Sequence, residues 1–177
     1  MQKKTIWDMN RPNVEEYRRR EKIPVVVVLD NIRSLNNIGS IFRTSDAFGI
    51  RGLCLCGITA TPPSVEIHKT ALGAEDSVDW QYYDTTLGAV EHLRSQGYTI
   101  ICLEQVRGSV SPRNLPLDRG GRYAIICGNE VEGVDQAVVD ASDICLEIPQ
   151  VGTKHSLNVS VSTGLAIWTL FEFFTEL

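Results

Sequence analysis

A mainly parallel α/β sheet with helices on both faces is the fold class this sequence predicts. Two observations carry it. From residue 23 onward, short strand-like runs alternate with helical runs, and such alternation builds a parallel sheet with crossover helices on either side. The first run, residues 25–29, is apolar throughout and mostly β-branched, as expected of a strand covered on both faces. The chain has 177 residues, which is room for one domain of ordinary size and too little for two large ones.

The elements follow in order. Asn13, after Pro12, is a natural N-cap, and Glu16 three residues on completes a capping box. A short helix to about Lys22 has charges all round it and little apolar stripe, so residues 1–22 read as a surface helix or arm and residues 23–177 as the main domain. Residues 38–48 read as a helix ended by Gly49. Residues 53–56 form a second strand, a Thr-Pro-Pro loop leads to a short helix at 65–72, and 78–83 is a weaker strand. Residues 87–96 are helical and stop at Gly97, and 98–103 is a strand. A loop rich in Gly, Pro, Arg and Ser spans 107–121. Strand 123–127, short helix 135–141, strand 144–148, loop 150–155 and a long apolar helix at 157–174 complete the chain.

Composition excludes several classes. No run approaches the roughly 18 apolar residues of a membrane helix. The opening MQKKTIWDMN has no apolar stretch, so no secretory leader is expected. The five cysteines lie in apolar runs without metal-ligand spacing, which points to reduced core thiols in a cytoplasmic protein and to no metal site. The net charge of −5 argues against nucleic acid, but it is unevenly placed. Residues 1–22 carry +3 and the remainder −8, so a basic arm sits on an acidic body.

Ligands in open α/β sheets sit beyond the carboxyl ends of the strands. Three such ends here carry unusual polar loops: LDNIRSLNNIGSIFR at 29–43, CGNEVEGV at 127–134 and IPQVGTKHSLNVSVS at 148–162. The glycine signatures of dinucleotide and P-loop sites are absent, which disfavours those enzymes. Taken alone, each loop also reads as local structure. Asn37 would cap a helix that Gly39 keeps slim, with Arg43 on its surface. Six residues on a helix turn through about 600°, so Asn37 and Arg43 meet at one pocket only if Asn37 lies in the preceding loop. Gly128, Glu130 and Gly133 would make a tight strand-to-helix turn. Ser156 would cap the last helix, leaving Asn158 inside its first turn, where asparagine is unfavourable without a partner. His68, His92 and His155 are scattered, and only His155 borders one of these loops.

The order and spacing of the three loops together resemble the SpoU (TrmH-like) RNA 2′-O-ribose methyltransferases of the SPOUT superfamily. The third is the nearest match, with IP followed by GTKHSLNVSV. The resemblance covers residues 23–177. It implies a C-terminal deep trefoil knot, an exception to the rule against knots, and S-adenosylmethionine as cofactor. Carried over, the cofactor would contact the loop after Leu103, the turn holding Cys127, Gly128 and Gly133, and the segment with Ile148, Ser156 and Leu157. The family is homodimeric, which suits a last helix apolar most of the way round, and each active site could draw on both chains.

The resemblance assigns catalysis to Arg43, with Asn37, Glu130, Ser156 and Asn158 around it. Arginine stays protonated, so Arg43 would stabilise the developing alkoxide and grip the neighbouring phosphate rather than act as base. Arg43, Arg33, Arg18 and Arg19 are the expected RNA contacts, tRNA being favoured over rRNA. Asn36, Ser40 and Gln150 depart from residues common in the family, and none removes a proposed functional side chain. The alternative is a catalytically silent RNA- or cofactor-binding dimer.

Overall fold

The computed structural model describes residues 1–5 and 8–175. Among them, six strands form one sheet with every pairing parallel. In chain order these are β1 (Ile23–Asp30), β2 (Ile50–Cys56), β3 (Trp80–Tyr83), β4 (Tyr98–Leu103), β5 (Arg122–Cys127) and β6 (Ile144–Leu146). Their spatial order is β3-β2-β1-β5-β4-β6. The first three strands step one way, and the chain then jumps to the other side of β1. The strand order therefore reverses there, where open parallel sheets bind ligands.

The helices are α1 (Val14–Arg19), α2 (Leu35–Ala47), α3 (Val65–Ala71), α4 (Ala74–Ser77), α5 (Thr86–Ser95), α6 (Gln136–Asp140) and α7 (Val159–Thr175). Alternation along the strands splits the core into two layers. Val25, Val27, Leu29, Leu53, Leu55 and Ile125 face α2, α3, α4 and α7. Val26, Val28, Cys54, Cys56, Cys102 and Ile126 face α5 and α6. Four cysteines are buried and Cys145 is half-buried. Burial pushes the thiols of Cys54, Cys56 and Cys127 up to about 12, so they behave as small apolar groups.

The arm is docked. Asn13 caps α1 with a reciprocal capping box, as the sequence predicts. The Tyr17 hydroxyl donates to the Asp46 carbonyl in the last turn of α2 at 2.8 Å, and Lys22 lies over the Tyr17 ring.

Two helix starts differ from expectation, both for capping reasons. Helix α2 begins at Leu35 because Ser34, not Asn37, is its N-cap. Helix α7 begins at Val159 because Asn158, not Ser156, takes that place: its Oδ1 accepts from the Ser160 and Val161 amides. The short helix α4 and a 3₁₀ turn at Pro112–Asn114 were not foreseen. From the edge strand β6 the chain returns across the sheet, and α7 packs against α2, β1, β4 and β5.

Helix α2 sits unusually close to α3. A Cβ on Gly39 would lie 2.3 Å from the Ile67 carbonyl oxygen and 2.1 Å from Thr70 Oγ1. The Thr70 hydroxyl could swing away, but a backbone carbonyl cannot. Gly39→Ala therefore lowers stability by about 1–3 kcal/mol through overpacking, despite alanine's better helix propensity. Thermal or urea melts read this directly. An unchanged or raised midpoint would show that the two helices can separate at no cost.

Candidate active site

The three polar loops converge at the carboxyl ends of β1, β5 and β6, and one carboxylate joins two of them. Glu130, in the loop after β5, accepts from the backbone amides of Arg33 and Ser34, each at 3.0 Å. It also accepts from Asn37 Nδ2 at 3.0 Å. These donors sit at the amino end of α2, where unpaired amides and the helix dipole favour an anion. Burial alone would raise the Glu130 carboxyl, but the hydrogen bonds from Arg33, Asn37 and Ser34 outweigh it and hold the group below its ordinary value.

Asn37 passes the connection on. Its Oδ1 accepts from Asn158 Nδ2 at 3.1 Å, and Asn158 Oδ1 accepts from the Ser160 amide and hydroxyl. An amide side chain has an acceptor and a donor at its two ends. Asn158 uses one to cap α7 and the other to hold α2, which turns an unfavourable interior residue into a favourable cap.

The turn after β5 is drawn tight. A Cβ on Gly128 would sit 2.2 Å from the Val134 amide nitrogen, so no side chain fits there. Gly133 has φ +73, and a Cβ there would meet the Glu104 carboxylate at 2.3 Å. Asn129 completes the turn: its Oδ1 accepts from the Val131 amide, and its Nδ2 donates to the Asn31 carbonyl.

Below this turn lies a cleft of about 800 Å³. All seven residues expected from the sequence to meet a cofactor line it: Leu103, Cys127, Gly128, Gly133, Ile148, Ser156 and Leu157. Glu130 and Asn158 line it as well. Leu103, Leu146, Ile148 and Leu157 make an apolar wall. Glu104, Glu130, Glu132 and Glu147 supply four carboxylates, while no lysine or arginine is among the described lining residues. A cleft of this polarity suits a ligand with an apolar ring system and a positive charge.

Sequence reasoning missed Glu104. It stands one residue beyond Leu103, at the end of a buried strand, and its carboxylate accepts from the Val134 and Gln105 amides at 3.0 and 2.8 Å. A charged residue directly after an apolar strand was the available signal. The loop after β4 also meets the segment after β6, because Gln105 Nε2 donates to the His155 carbonyl at 2.7 Å.

The structure does not bring Arg43 to this cleft. With Asn37 inside α2, the helical rotation turns Arg43 away, and it lines a separate groove with α1. Arg33 is exposed beside the Glu130 contact. Arg18 and Arg19 lie outside both cavities, and Arg19 pairs with Glu15 at 2.5 Å on the exposed face of α1. Among the described residues no cluster of His, Cys, Asp and Glu could hold a metal ion, and no helix is long and apolar enough to cross a membrane.

Comparisons with known proteins agree on one family. A model of the SpoU rRNA Methylase family matches residues 24–168. A Staphylococcus saprophyticus protein, named for the TrmH family of tRNA/rRNA methyltransferases, is 28% identical over 159 residues. The match covers 90% of this chain and 63% of that relative, so the chain spans under two thirds of the relative's length. An AdoMet-bound rRNA methyltransferase from Sinorhizobium meliloti superposes with a TM-score of 0.79 at 26% identity, covering 90% of this chain and 60% of that one. A chain solved in work on 2-OH methylation of C/U34 on tRNA gives 0.76 at 25% identity, covering 86% of this chain and 97% of that one.

The Glu130 contacts make a pH prediction. A carboxyl held low stabilises the fold fully above its unfolded value, near 4.5, and that contribution is lost as the pH falls through the lower folded value. Glu130→Gln places an NH₂ against backbone donors and loses the charge at the helix end. The variant is therefore less stable than the parent at neutral pH, and the difference closes in acid. Urea titrations at several pH values test this; a difference that persists unchanged into strong acid would show that Glu130 does not act through its charge.

Proposed function

The chain belongs to the SpoU rRNA methylase family, and on that premise we propose that it transfers a methyl group from S-adenosylmethionine to a ribose 2′-hydroxyl of RNA. The observation that carries this reading is the cleft itself. The loops after β4, β5 and β6 wall it, its apolar side fits an adenine, and its four carboxylates with no lysine or arginine among the described lining residues fit a sulfonium and an ammonium group. The family's methyl donor is S-adenosylmethionine, and a neighbour carries AdoMet. The match over nearly the whole length of the tRNA 2-OH methylation chain favours tRNA over rRNA and the ribose hydroxyl as target. Membership also supports the expected knot.

The residues would divide the work as follows. The apolar wall and the backbone of the Cys127–Gly133 turn hold the cofactor, which supplies an electrophilic methyl carbon. Glu130, Asn37 and Asn158 keep that turn, α2 and α7 in register. Arg43 stabilises the alkoxide as the hydroxyl loses its proton to a phosphate oxygen or a water, and it grips the adjacent phosphate bidentately. The ribose oxygen then attacks the methyl carbon in line as the bond to sulfur breaks. Arg33 would add a phosphate contact.

Since Arg43 lies outside the cleft of its own chain, the reading requires a homodimer in which it serves the partner's cleft. Helix α7 supports this: Val161, Leu165 and Trp168 are exposed at helical spacing, and Trp168 stacks edge-on against Phe48 at the end of α2. Such an apolar stripe is a natural self-association surface.

Calorimetry with S-adenosylmethionine and methyl transfer to tRNA test the proposal together. Arg43→Ala should lower turnover by about 100- to 1000-fold, the usual effect of losing one charge-stabilising donor, with cofactor affinity nearly unchanged. Arg43→Lys should recover little, because lysine cannot reproduce the fork. A large loss of cofactor affinity in Arg43→Ala would place the residue at the cofactor instead, and no heat with S-adenosylmethionine would sink the enzyme reading. Mass spectrometry of RNA from a deletion strain, reading which 2′-O-methyl nucleoside disappears, would identify the substrate.

A further inference from the structure

The groove that holds Arg43 has about 730 Å³ and opens between α1, the end of α2, the α3–α4 turn and the end of α7. Its polarity is the reverse of the cleft's. Among the described lining residues, Arg11, Arg20, Lys22 and Arg43 stand against two carboxylates, Glu21 and Asp46. Asp46 is already engaged: its Oδ1 accepts from the Ser77 hydroxyl at 2.5 Å. Lys22 is engaged too, over the Tyr17 ring and on the Tyr17 carbonyl.

What the three arginines share is a place in this groove without a partner of their own. Among the described residues, the side chains of Arg11, Arg20 and Arg43 make no hydrogen bond or ion pair; outside the groove, Arg19 holds Glu15 and Arg18 is likewise unpaired. Like charges gathered in a concavity repel, and the arrangement is relieved by an anion with several oxygens. The arm is not free to move its arginines apart, because the Tyr17 hydroxyl fastens α1 to the last turn of α2. Burial lowers the Lys22 ammonium; Asp46 and Asp79 oppose the effect, and Arg20 adds a smaller push in the same direction as burial.

We propose that this groove is a track for the RNA backbone, in which Arg11 and Arg20 bind phosphates on the strand whose reacting nucleotide Arg43 grips. The proposal rests on the methyltransferase reading above and deepens it. The arm then contacts RNA through the arginines that face α2, not through Arg18 and Arg19. A chain of net charge −5 thus binds a polyanion by local placement of charge. A rigid arm also sets the distance between the bound phosphates and the reacting ribose.

Fluorescence anisotropy with bulk bacterial tRNA, titrated between about 50 and 200 mM salt, tests it. Arg11→Ala/Arg20→Ala should weaken binding about tenfold or more. It should also flatten the log–log salt slope by about 1–2, since each phosphate contact contributes about 0.7–0.9. Both side chains are exposed, so the fold should be kept, as unchanged S-adenosylmethionine affinity would show. Arg18→Ala/Arg19→Ala removes the same charge from outside the groove and should cost visibly less. Equal losses in the two double variants would overturn the proposal, since net charge alone would then explain them. So would an unchanged slope, or a shift in oligomeric state, which would make the groove a protein contact. If the parent chain methylates RNA while Arg11→Ala/Arg20→Ala matches it, only the groove proposal fails. If the parent neither binds tRNA nor transfers a methyl group, the underlying reading fails as well.

Discussion

Glu130 places a carboxylate against the open amino end of α2, and the rest of the site is arranged around that contact. Two backbone amides and the Asn37 side chain converge on it. Because those donors have no helical partner, the carboxylate meets a need the helix already has. The contact joins the loop after β5 to the loop after β1, and Asn37 extends it to Asn158 at the head of α7. Three segments far apart in sequence are thereby held at one end of the sheet.

This clamp makes α2 a rod between two sites. Its amino end carries Asn37 beside a cleft whose lining holds several carboxylates, and its far turns carry Arg43 into a groove where cations outnumber the described carboxylates. The net charge of −5 is thus an average over two sorted surfaces. Taken as a total it argued against RNA; taken by location it does not, because fields near a surface follow nearby charges more than distant ones. The close approach of α2 to α3 at Gly39 fixes the rod sideways. Tyr17 fixes the arm to its far end.

Much of the fold was legible in the chain. Strands covered on both faces announce themselves as continuous apolar runs, and 98–103 matches the observed strand from end to end. Gly49 and Gly97 both adopt positive φ at the helix ends they were expected to mark. The errors lie where more than one polar residue could cap a helix. Ser34 and Asn37, and likewise Ser156 and Asn158, are interchangeable by propensity. The choice between them was made by partners about a hundred residues away. Glu104 was missed for the same reason: its role depends on the Val134 amide thirty residues on.

By itself the sequence determined the alternation, the two apolar layers, the absence of the familiar nucleotide motifs and the three polar loops, of which the second and third wall the cleft. These are local patterns, set by side-chain period and backbone propensity. Only the tertiary structure decided which asparagine caps which helix, that Glu130 binds a helix end, and that Arg43 leaves its own chain's cleft and joins Arg11 and Arg20 instead. Those outcomes follow from hydrogen bonds and helical rotation between distant segments, which have no direction until the sheet has brought them together.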